Sequence, residues 1–224
     1  MKRRIFTTLL FMMFMLFFIF DVKVNAESKK KFNEYVIYID AGHGGYDGGA
    51  KGSNGSVEKD INLNIAIYLS NYLKQAGFKV YMTRSEDKDF VTQGRGSKKK
   101  RDLDNRIKMI NESDCDFFVS IHANSLGDSR WRGAQTFYYN RFEESELLAK
   151  CIQDSLTRVL KNTHRKAKVI RNIYLFKVME KPGVLIESGF LSNLEEESLL
   201  KQDKYQDLIA FAIYLGMLKC IENN

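Results

Sequence analysis

The sequence predicts a single-domain α/β fold built on a mainly parallel β-sheet. Short apolar runs at Tyr35–Ile39, Phe117–Ile121 and Val184–Ile186 have the length and the flanking residues of buried strands. Amphipathic helical patterns lie between these runs, so predicted strands and helices alternate along the chain. A strand–helix–strand order needs a crossover connection, which favours parallel pairing of the two strands.

The first predicted strand leads into a glycine-rich loop and then into a helix. The loop, residues 40–57, contains seven of the fifteen glycines and one histidine, His43, and it ends at Glu58. Glycines at this density let a backbone fold tightly around a ligand, although a flexible surface loop is the alternative. Residues 59–76 carry apolar side chains at four-residue spacing, which predicts an amphipathic helix. Residues 78–83 alternate like a strand and complete a βαβ unit.

The later elements continue the alternation after one polar interruption. Residues 85–101 are charged and contain glycine, so we predict a solvated loop. The alternative is that its basic run, Lys98–Arg101, contacts an anionic polymer. The later predicted elements are a helix at 102–112, a strand at 133–139, a helix at 141–161 with Leu147, Cys151, Leu156 and Leu160 on one face, strand pieces at 169–170 and 173–178, a short helix at 195–200 and a closing helix at 205–221.

The first 26 residues are predicted to be a targeting segment. Lys2–Arg4 precede an apolar run from Ile5 to Phe20, and Val24–Ala26 has the small-residue pattern of a signal-peptidase site. As a helix the apolar run would measure about 24 Å, which is short for a bilayer core of about 30 Å. We expect cleavage after Ala26, with an uncleaved membrane anchor as the alternative. In either case the protein is expected to be exported, so nucleic acid is not an expected partner.

Charge and cysteine content narrow the class of protein further. The 224-residue chain has a net charge of +7. A basic exported protein suits an anionic surface such as a cell wall, although a normally solvated lysine-rich surface explains the charge equally well. Cys115, Cys151 and Cys220 are widely spaced and form no C-x-x-C pair, so we predict no disulfide framework. Cys115 and Cys220 adjoin apolar runs and are expected in the core.

Four ionisable residues are predicted to meet at one edge of the sheet. His43 lies just beyond the first strand, and Glu58 starts the helix that follows. His122 and Glu187 are predicted to end two later strands. Ligands of open α/β sheets bind outside the carboxyl ends of the strands. Two histidines and one glutamate form a common catalytic zinc set that leaves a fourth position for water, and Glu187 is suited to carry protons.

Each of these residues also has a structural interpretation. A histidine at a strand end is often structural, Glu58 can simply favour the helix dipole, and Glu187 can be paired with a lysine. Convergence of all four on one edge favours a metal site over these separate explanations. The sequence lacks four competing motifs, namely G-x-S-x-G, the P-loop pattern, the dinucleotide pattern G-x-G-x-x-G and H-E-x-x-H.

Four segments together resemble the zinc-dependent N-acetylmuramoyl-L-alanine amidases of bacterial cell walls, the amidase-3 family. They are IDAGHGGYDGGA at 39–50, EKDINL at 58–63, SIHAN at 120–124 and VLIESGFLSN at 184–193. The resemblance covers residues 35–221 as one catalytic domain and implies an α/β sandwich around a six-stranded sheet. It also implies that His43, Glu58 and His122 are zinc ligands and that Glu187 is the catalytic glutamate.

The reaction implied by the resemblance is hydrolysis of the amide between the lactyl group of N-acetylmuramic acid and L-alanine in peptidoglycan. The implied cofactor is one zinc ion per chain. Asn124 and Arg106 match family positions and are expected to support the site or contact the substrate. For Arg106, a structural ion pair is the other expected role.

Within the family, the N-terminal segment, the lone catalytic domain and the lack of wall-binding repeats make the chain similar to sporulation and germination amidases of the CwlD type. Those enzymes act on spore cortex peptidoglycan during formation of muramic-δ-lactam, and some depend on an accessory lipoprotein. We therefore expect peptidoglycan as substrate, such a lipoprotein as a partner to test, and a location in the cell wall or in the spore intermembrane space and cortex.

Three alternatives to this function stay open at the level of sequence. They are a vegetative cell-wall autolysin, a zinc peptidase that cuts within the stem peptide, and a non-catalytic peptidoglycan-binding module with structural zinc. Residues 85–101 are longer and more charged than expected for the family. This departure leaves substrate preference and partner contact open, but not the zinc chemistry.

Overall fold

Six strands and six α-helices make up residues 30–222, the part of the chain that the computed structural model describes. The strands are β1 Val36–Ala41, β2 Lys79–Met82, β3 Phe117–Asn124, β4 Gln135–Tyr138, β5 Lys168–Val169 and β6 Gly183–Phe190. The helices are α1 Glu58–Gln75, α2 Lys98–Asn111, α3 Glu143–Leu160, α4 Tyr174–Val178, α5 Leu194–Leu200 and α6 Asp203–Glu222. The predicted targeting segment, residues 1–26, lies outside the described residues. None of the helices within 30–222 combines the length and the apolar character that spanning a bilayer requires.

The six strands form one sheet in the order β2–β1–β3–β6–β4–β5. All neighbouring pairs are parallel except β4 and β6, which are antiparallel. The predicted α/β fold with a mainly parallel, six-stranded sheet is therefore confirmed. Because β1, β3 and β6 are parallel neighbours, their carboxyl ends lie at one edge of the sheet, and the antiparallel strand β4 begins at that edge.

Apolar layers cover both faces of the sheet. Ile37 and Ile39 of β1 belong to the layer formed with helices α1, α3 and α6. Tyr38, between them, belongs to the layer formed with α2 and α4. Successive side chains of a strand point to opposite faces, so a central strand covered on both sides must be apolar throughout. This explains the continuous apolar runs from which the strands were predicted.

Two segments differ from their predicted structure. Helix α2 begins at Lys98 instead of residue 102, because the Ser97 hydroxyl caps it by accepting a hydrogen bond from the Lys100 amide. The basic run predicted as loop is therefore the first turn of a helix. Residues 173–178, predicted as strand, contain helix α4, whose Leu175 and Phe176 are buried. A helix of five residues is too short to show the helical period in its sequence.

Two strands extend beyond the residues that were predicted to end them. Strand β3 continues for two residues past His122, and β6 continues for three residues past Glu187. The two residues therefore lie inside their strands, near the carboxyl ends. They are direct partners in the β3–β6 ladder.

The buried face of α3 is offset from the predicted one. Leu147 is 36% exposed, whereas Leu148 and Ile152 are fully buried. All three cysteines of the chain are buried and carry free thiols. Cys115 and Cys220 lie in the two apolar layers, as expected from their neighbours in the sequence.

A buried ion-pair network lies below the carboxyl edge of the sheet. Asp40 of β1 accepts hydrogen bonds from Arg106 Nη1 at 2.9 Å and from the Ser120 hydroxyl at 2.7 Å. Arg106 also donates from Nε to Asp102 at 3.0 Å. Asp40 is 1% exposed and Arg106 is 5% exposed. Arg106, for which an ion pair and a substrate contact were both expected, thus ties helix α2 to the centre of the sheet.

This network lowers the pKa of Asp40. Burial by itself raises the pKa, but the Arg106 guanidinium and the Ser120 hydroxyl outweigh it, so the pKa falls from an ordinary 3.8 to about 2. Because the folded pKa is below the unfolded one, the ionised carboxylate stabilises the fold above pH 4. That contribution, about 2 kcal/mol, is lost as the pH falls from about 4 to about 2.

We expect Asp40→Asn to lower the free energy of unfolding at pH 7 by about 3 kcal/mol, because the buried Arg106 charge loses one of its two carboxylate partners. Urea denaturation measures this, and the difference from the wild type should shrink as the pH falls from 5 towards 2. Asp114→Asn is the control, since it removes only an exposed partner of Lys79 and should leave the denaturation midpoint unchanged. Equal stability of Asp40→Asn and the wild type would contradict a structural role for the network.

Candidate metal centre

Three side chains from separate elements converge at the carboxyl edge of the sheet. Glu58, the first residue of α1, lies between His43 of the β1–α1 loop and His122 of β3. Glu58 Oε2 is 3.1 Å from His43 Nε2, and Glu58 Oε1 is 2.9 Å from His122 Nδ1. One candidate ligand atom from each residue lies within 4.8 Å of the other two. The structure thus brings together the three residues that the sequence nominated as ligands.

The donor atoms fit a divalent metal ion. Two imidazole nitrogens and one carboxylate oxygen are typical of a catalytic zinc site and leave a fourth position open. Burial raises the pKa of Glu58, but the two histidines bring it well below its ordinary value. Burial lowers the pKa of His43, but Glu58 and Asp47 raise it overall. A carboxylate that stabilises positive charge on the His43 imidazole also stabilises a cation bound beside it.

Backbone amides fix the position of the Glu58 carboxylate. Oε2 accepts a hydrogen bond from the Ala50 amide at 2.7 Å, and Oε1 accepts one from the Ala123 amide at 3.2 Å. Ala50 lies in the glycine-rich loop and Ala123 in β3, so one carboxylate holds the loop against the strand. Its geometry is set by the fold, as a metal ligand requires.

Two glycines leave the space that the ligand side chains occupy. A Cβ on Gly42 would lie 2.3 Å from Cε1 and 2.4 Å from Nε2 of His122. A Cβ on Gly49 would lie 2.4 Å from Glu58 Oε2, and the φ of Gly49 is +69°, a conformation that favours glycine. His43 itself has a φ of +62°. The glycine-rich loop therefore packs closely around the three side chains.

Asp47 makes a contact that the sequence analysis missed. Its Oδ2 lies 2.8 Å from His43 Nδ1, and its Oδ1 accepts a hydrogen bond from the Gly49 amide at 3.1 Å. A carboxylate on the second ring nitrogen orients a ligating histidine and raises its basicity. The signal available in the sequence was an aspartate four residues after a candidate ligand, within the same glycine-rich loop.

Glu187 lies beside this group on the neighbouring strand, as the ladder partner of His122. Among residues 30–222, its buried Oε2 has no hydrogen-bond partner, and no lysine or arginine forms a salt bridge with it. Burial raises the pKa of Glu187 to about 7, with His122 lowering it and Glu58 raising it. A carboxyl group with a pKa near 7 can both accept and donate a proton at neutral pH.

The two remaining polar residues of interest are Asn124 and His164. Asn124, at the end of β3 and two residues beyond His122, is half-buried, and its backbone carbonyl accepts a hydrogen bond from the Leu191 amide at 2.7 Å. His164 is exposed in the loop before β5. Within the described part of the chain, it belongs to no group that could hold a metal.

The sheet and its edge define a class of protein. A mainly parallel α/β sheet that presents two histidines and a glutamate at its carboxyl edge, with a second, partly buried glutamate alongside, fits a metal-dependent hydrolase. Residues 37–219 match the model of the N-acetylmuramoyl-L-alanine amidase family, Amidase_3. The chain belongs to that family and is an amidase enzyme, as the resemblance of the four sequence segments implied.

Relatives with known names agree with this membership. The chain is 48% identical over 187 residues to the germination-specific N-acetylmuramoyl-L-alanine amidase of Bacillus subtilis, which covers 82% of this chain and 78% of the relative. The structure of the CwlD amidase from Clostridioides difficile in complex with the GerS lipoprotein matches with a TM-score of 0.81 and 41% identity, over 85% of this chain and all of that one. The catalytic domain of CwlV from Bacillus (Paenibacillus) polymyxa matches with a TM-score of 0.73 and 32% identity, over 85% of this chain and 99% of that one. The predicted similarity to the CwlD type is confirmed.

We expect Gly42→Ala to weaken binding of a divalent metal about tenfold or more, because the added methyl group would overlap the His122 imidazole and displace it. Competition with a chromogenic chelator measures the affinity. Gly127→Ala is a matched control, because a Cβ at Gly127 would meet nothing within 4 Å. Unchanged affinity in Gly42→Ala would show that His122 does not bind the metal from this position.

Proposed function

We propose that this chain is a zinc-dependent amidase that hydrolyses the bond between N-acetylmuramic acid and L-alanine in peptidoglycan. The observation that carries the proposal is the convergence of His43, Glu58 and His122 within reach of one ion, with Glu187 across the strand ladder. In this proposal the first three residues hold zinc, and Glu187 transfers the protons. Family membership supports the identity of the bond.

The donor atoms favour zinc in a catalytic role. Magnesium and calcium prefer oxygen ligands, whereas imidazole nitrogens together with a carboxylate are typical of zinc. Zinc bound by three protein ligands supplies a Lewis acid that polarises a carbonyl and lowers the pKa of water. A structural zinc normally has four protein ligands, and the group found within residues 30–222 has three. This difference favours the enzyme over the binding module.

Glu187 carries the protons of the proposed reaction. Its carboxylate accepts a proton from the attacking water, and the resulting carboxyl group donates that proton to the nitrogen of L-alanine as the carbon–nitrogen bond breaks. The products are a lactyl carboxylate and a free amino group on L-alanine. A pKa of about 7 keeps both forms of Glu187 available near neutral pH. Asn124, at the same end of β3 as His122, is proposed to hydrogen-bond the substrate.

The proposed substrate within peptidoglycan is the spore cortex, where the cut would precede formation of muramic-δ-lactam. Similarity to a germination-specific amidase supports this choice over the vegetative wall. The matching CwlD structure is a complex with a lipoprotein, which supports an accessory lipoprotein as a partner of this chain. Export through the N-terminal segment is part of the same proposal, and it places the enzyme outside the cytoplasm.

We expect Glu187→Gln to keep one zinc per chain and to reduce turnover about 100-fold or more, because the amide cannot accept the proton of water. His43→Ala and His122→Ala should instead lose zinc. Metal content by mass spectrometry and release of free L-alanine amino groups from muropeptides measure the two effects separately.

Glu112→Gln is the control for this comparison, because Glu112 lies at the end of α2, its side chain is 66% exposed, and it pairs only loosely with Lys108. It should keep both zinc and turnover. Full zinc in His122→Ala would make the ligand assignment wrong. Unchanged function in Glu187→Gln would favour the wall-binding module.

Mass analysis of digested peptidoglycan identifies the bond. We expect released stem peptides that begin with a free L-alanine, together with intact N-acetylmuramic acid. Peptides cut between stem residues would instead favour the zinc peptidase. Cortex from spores that lack the gene should contain no muramic-δ-lactam, whereas normal muramic-δ-lactam would favour the vegetative amidase.

A further inference from the structure

An arginine is linked to the proposed catalytic glutamate through one intervening side chain and takes no part in the steps above. Gln135 of β4 is the antiparallel partner of Glu187 in β6, and directly opposed side chains of such a pair lie on the same face, about 5 Å apart. Arg165, in the loop between α3 and β5, donates a hydrogen bond from Nη1 to Gln135 Oε1 at 3.0 Å. The guanidinium is therefore one side chain away from Glu187.

The Arg165 guanidinium is held in one orientation. Its Nε donates to the backbone carbonyl of Arg132 at 2.8 Å. The guanidinium carbon lies 5.4 Å from the centre of the Trp131 ring and 4.9 Å from the centre of the Phe190 ring. Two hydrogen bonds to neutral groups and two ring contacts fix the planar guanidinium, whose paired N–H donors match the geometry of a carboxylate.

Within residues 30–222, no salt bridge neutralises the charge of Arg165. Arg130 pairs with Asp128 at 2.8 Å, and Arg132 pairs with Glu195 at 3.1 Å. Among residues 30–222, no carboxylate oxygen lies within 4 Å of the Arg165 guanidinium, and its Nη2 donates no hydrogen bond. Of these three arginines, Arg165 is the one whose guanidinium has no carboxylate partner within residues 30–222 and can bind an anionic ligand.

The nearby carboxylate of Glu196 is already occupied. Its Oε1 accepts a hydrogen bond from the Gly133 amide at 2.8 Å, and its Oε2 accepts one from the Phe190 amide at 2.9 Å. It interacts with Arg165 only through space. Within residues 30–222, the loop therefore presents a fixed cation that has no direct ion pair, near the site where the proposed reaction takes place.

We propose that Arg165 binds a free carboxylate of the stem peptide and so selects the substrate; this inference rests on the proposed function. Once N-acetylmuramic acid is amide-linked, the sugar has no carboxylate left, so an anionic group must come from the peptide. The second stem residue is a glutamate joined through its side-chain carboxyl, and its main-chain carboxylate is free. Arginine binds such a group with two parallel hydrogen bonds.

The distances agree with this assignment. The Cβ atoms of the opposed residues Glu187 and Gln135 are about 5 Å apart, and Arg165 Nη1 lies 3.0 Å from Oε1 at the far end of the Gln135 side chain. The length of the Gln135 side chain therefore separates the guanidinium from the strand that carries the catalytic residue. Two extended residues span about 7 Å. A stem peptide whose scissile amide lies at Glu187 can therefore place its second residue on the side of the site where Arg165 lies.

The test uses solubilised glycan chains whose second stem residue has its main-chain carboxyl either free or amidated. For the wild-type enzyme loaded with zinc, we expect a KM at least tenfold lower for the free acid. Arg165→Gln should raise the KM for the free acid about tenfold, with kcat and zinc content unchanged, and leave the KM for the amidated chain unchanged. Arg165→Lys keeps the charge but lacks the paired N–H donors, so it should give an intermediate KM for the free acid.

Arg130→Gln is the control, because Arg130 is exposed and already paired, and both its KM values should equal those of the wild type. Equal wild-type KM values for the two substrates would overturn the proposal without any substitution. An equal loss on both substrates in Arg165→Gln would also overturn it, and would give Arg165 a purely structural role. If the wild type released no L-alanine amino group from either chain, the proposed amidase function itself would fail.

Discussion

The Glu58 carboxylate joins the three parts of the chain that form the candidate metal centre. Its two oxygens contact His43 and His122. The same oxygens accept hydrogen bonds from the backbone amides of Ala50 and Ala123. Loop, helix and strand therefore meet at one buried anion. Burying a carboxylate costs free energy unless positive charge or hydrogen bonds surround it. The buried Glu58 carboxylate therefore favours both its contacts with the two histidines and a cation bound between them.

The register of the strands places the residues of the proposed reaction beside one another. His122, Glu187 and Gln135 are successive partners across β3, β6 and β4, so the candidate ligand, the proposed proton carrier and the support of Arg165 form one row. A slip of one residue would turn each of them to the opposite face. The packing on both faces opposes such a slip, because the slip would exchange Ile186, which packs in one apolar layer, with Leu185, which packs in the other. Packing far from the edge thus sets the geometry at the edge.

The edge and the loops divide the work of the proposed enzyme. In the proposal, metal binding and proton transfer rest on His122 and Glu187 of the strands, on Glu58 at the start of a helix, and on His43, which its contacts with Asp47 and Glu58 hold in place in the glycine-rich loop. The proposed recognition of the stem peptide rests on the loops that carry Trp131 and Arg165, which the sheet positions but does not constrain in sequence. The Asp40–Arg106 pair below the edge belongs to the first group, since it ties α2 to the strand that leads into the glycine-rich loop.

Local patterns in the sequence were sufficient for the alternation of strands and helices, for the parallel sheet, and for naming His43, Glu58, His122 and Glu187, because apolar period and strand ends are properties of neighbouring residues. Other features depended on contacts between distant parts of the chain. The helix at 174–178 is stabilised by burial of Leu175 and Phe176 against α2 and the sheet, which no five-residue pattern reveals. The contact of Asp47 with His43 depends on the path of a loop, and the place of Arg165 depends on the pairing of β4 with β6. Side chains meet where the backbone brings them, and only the folded backbone determines that.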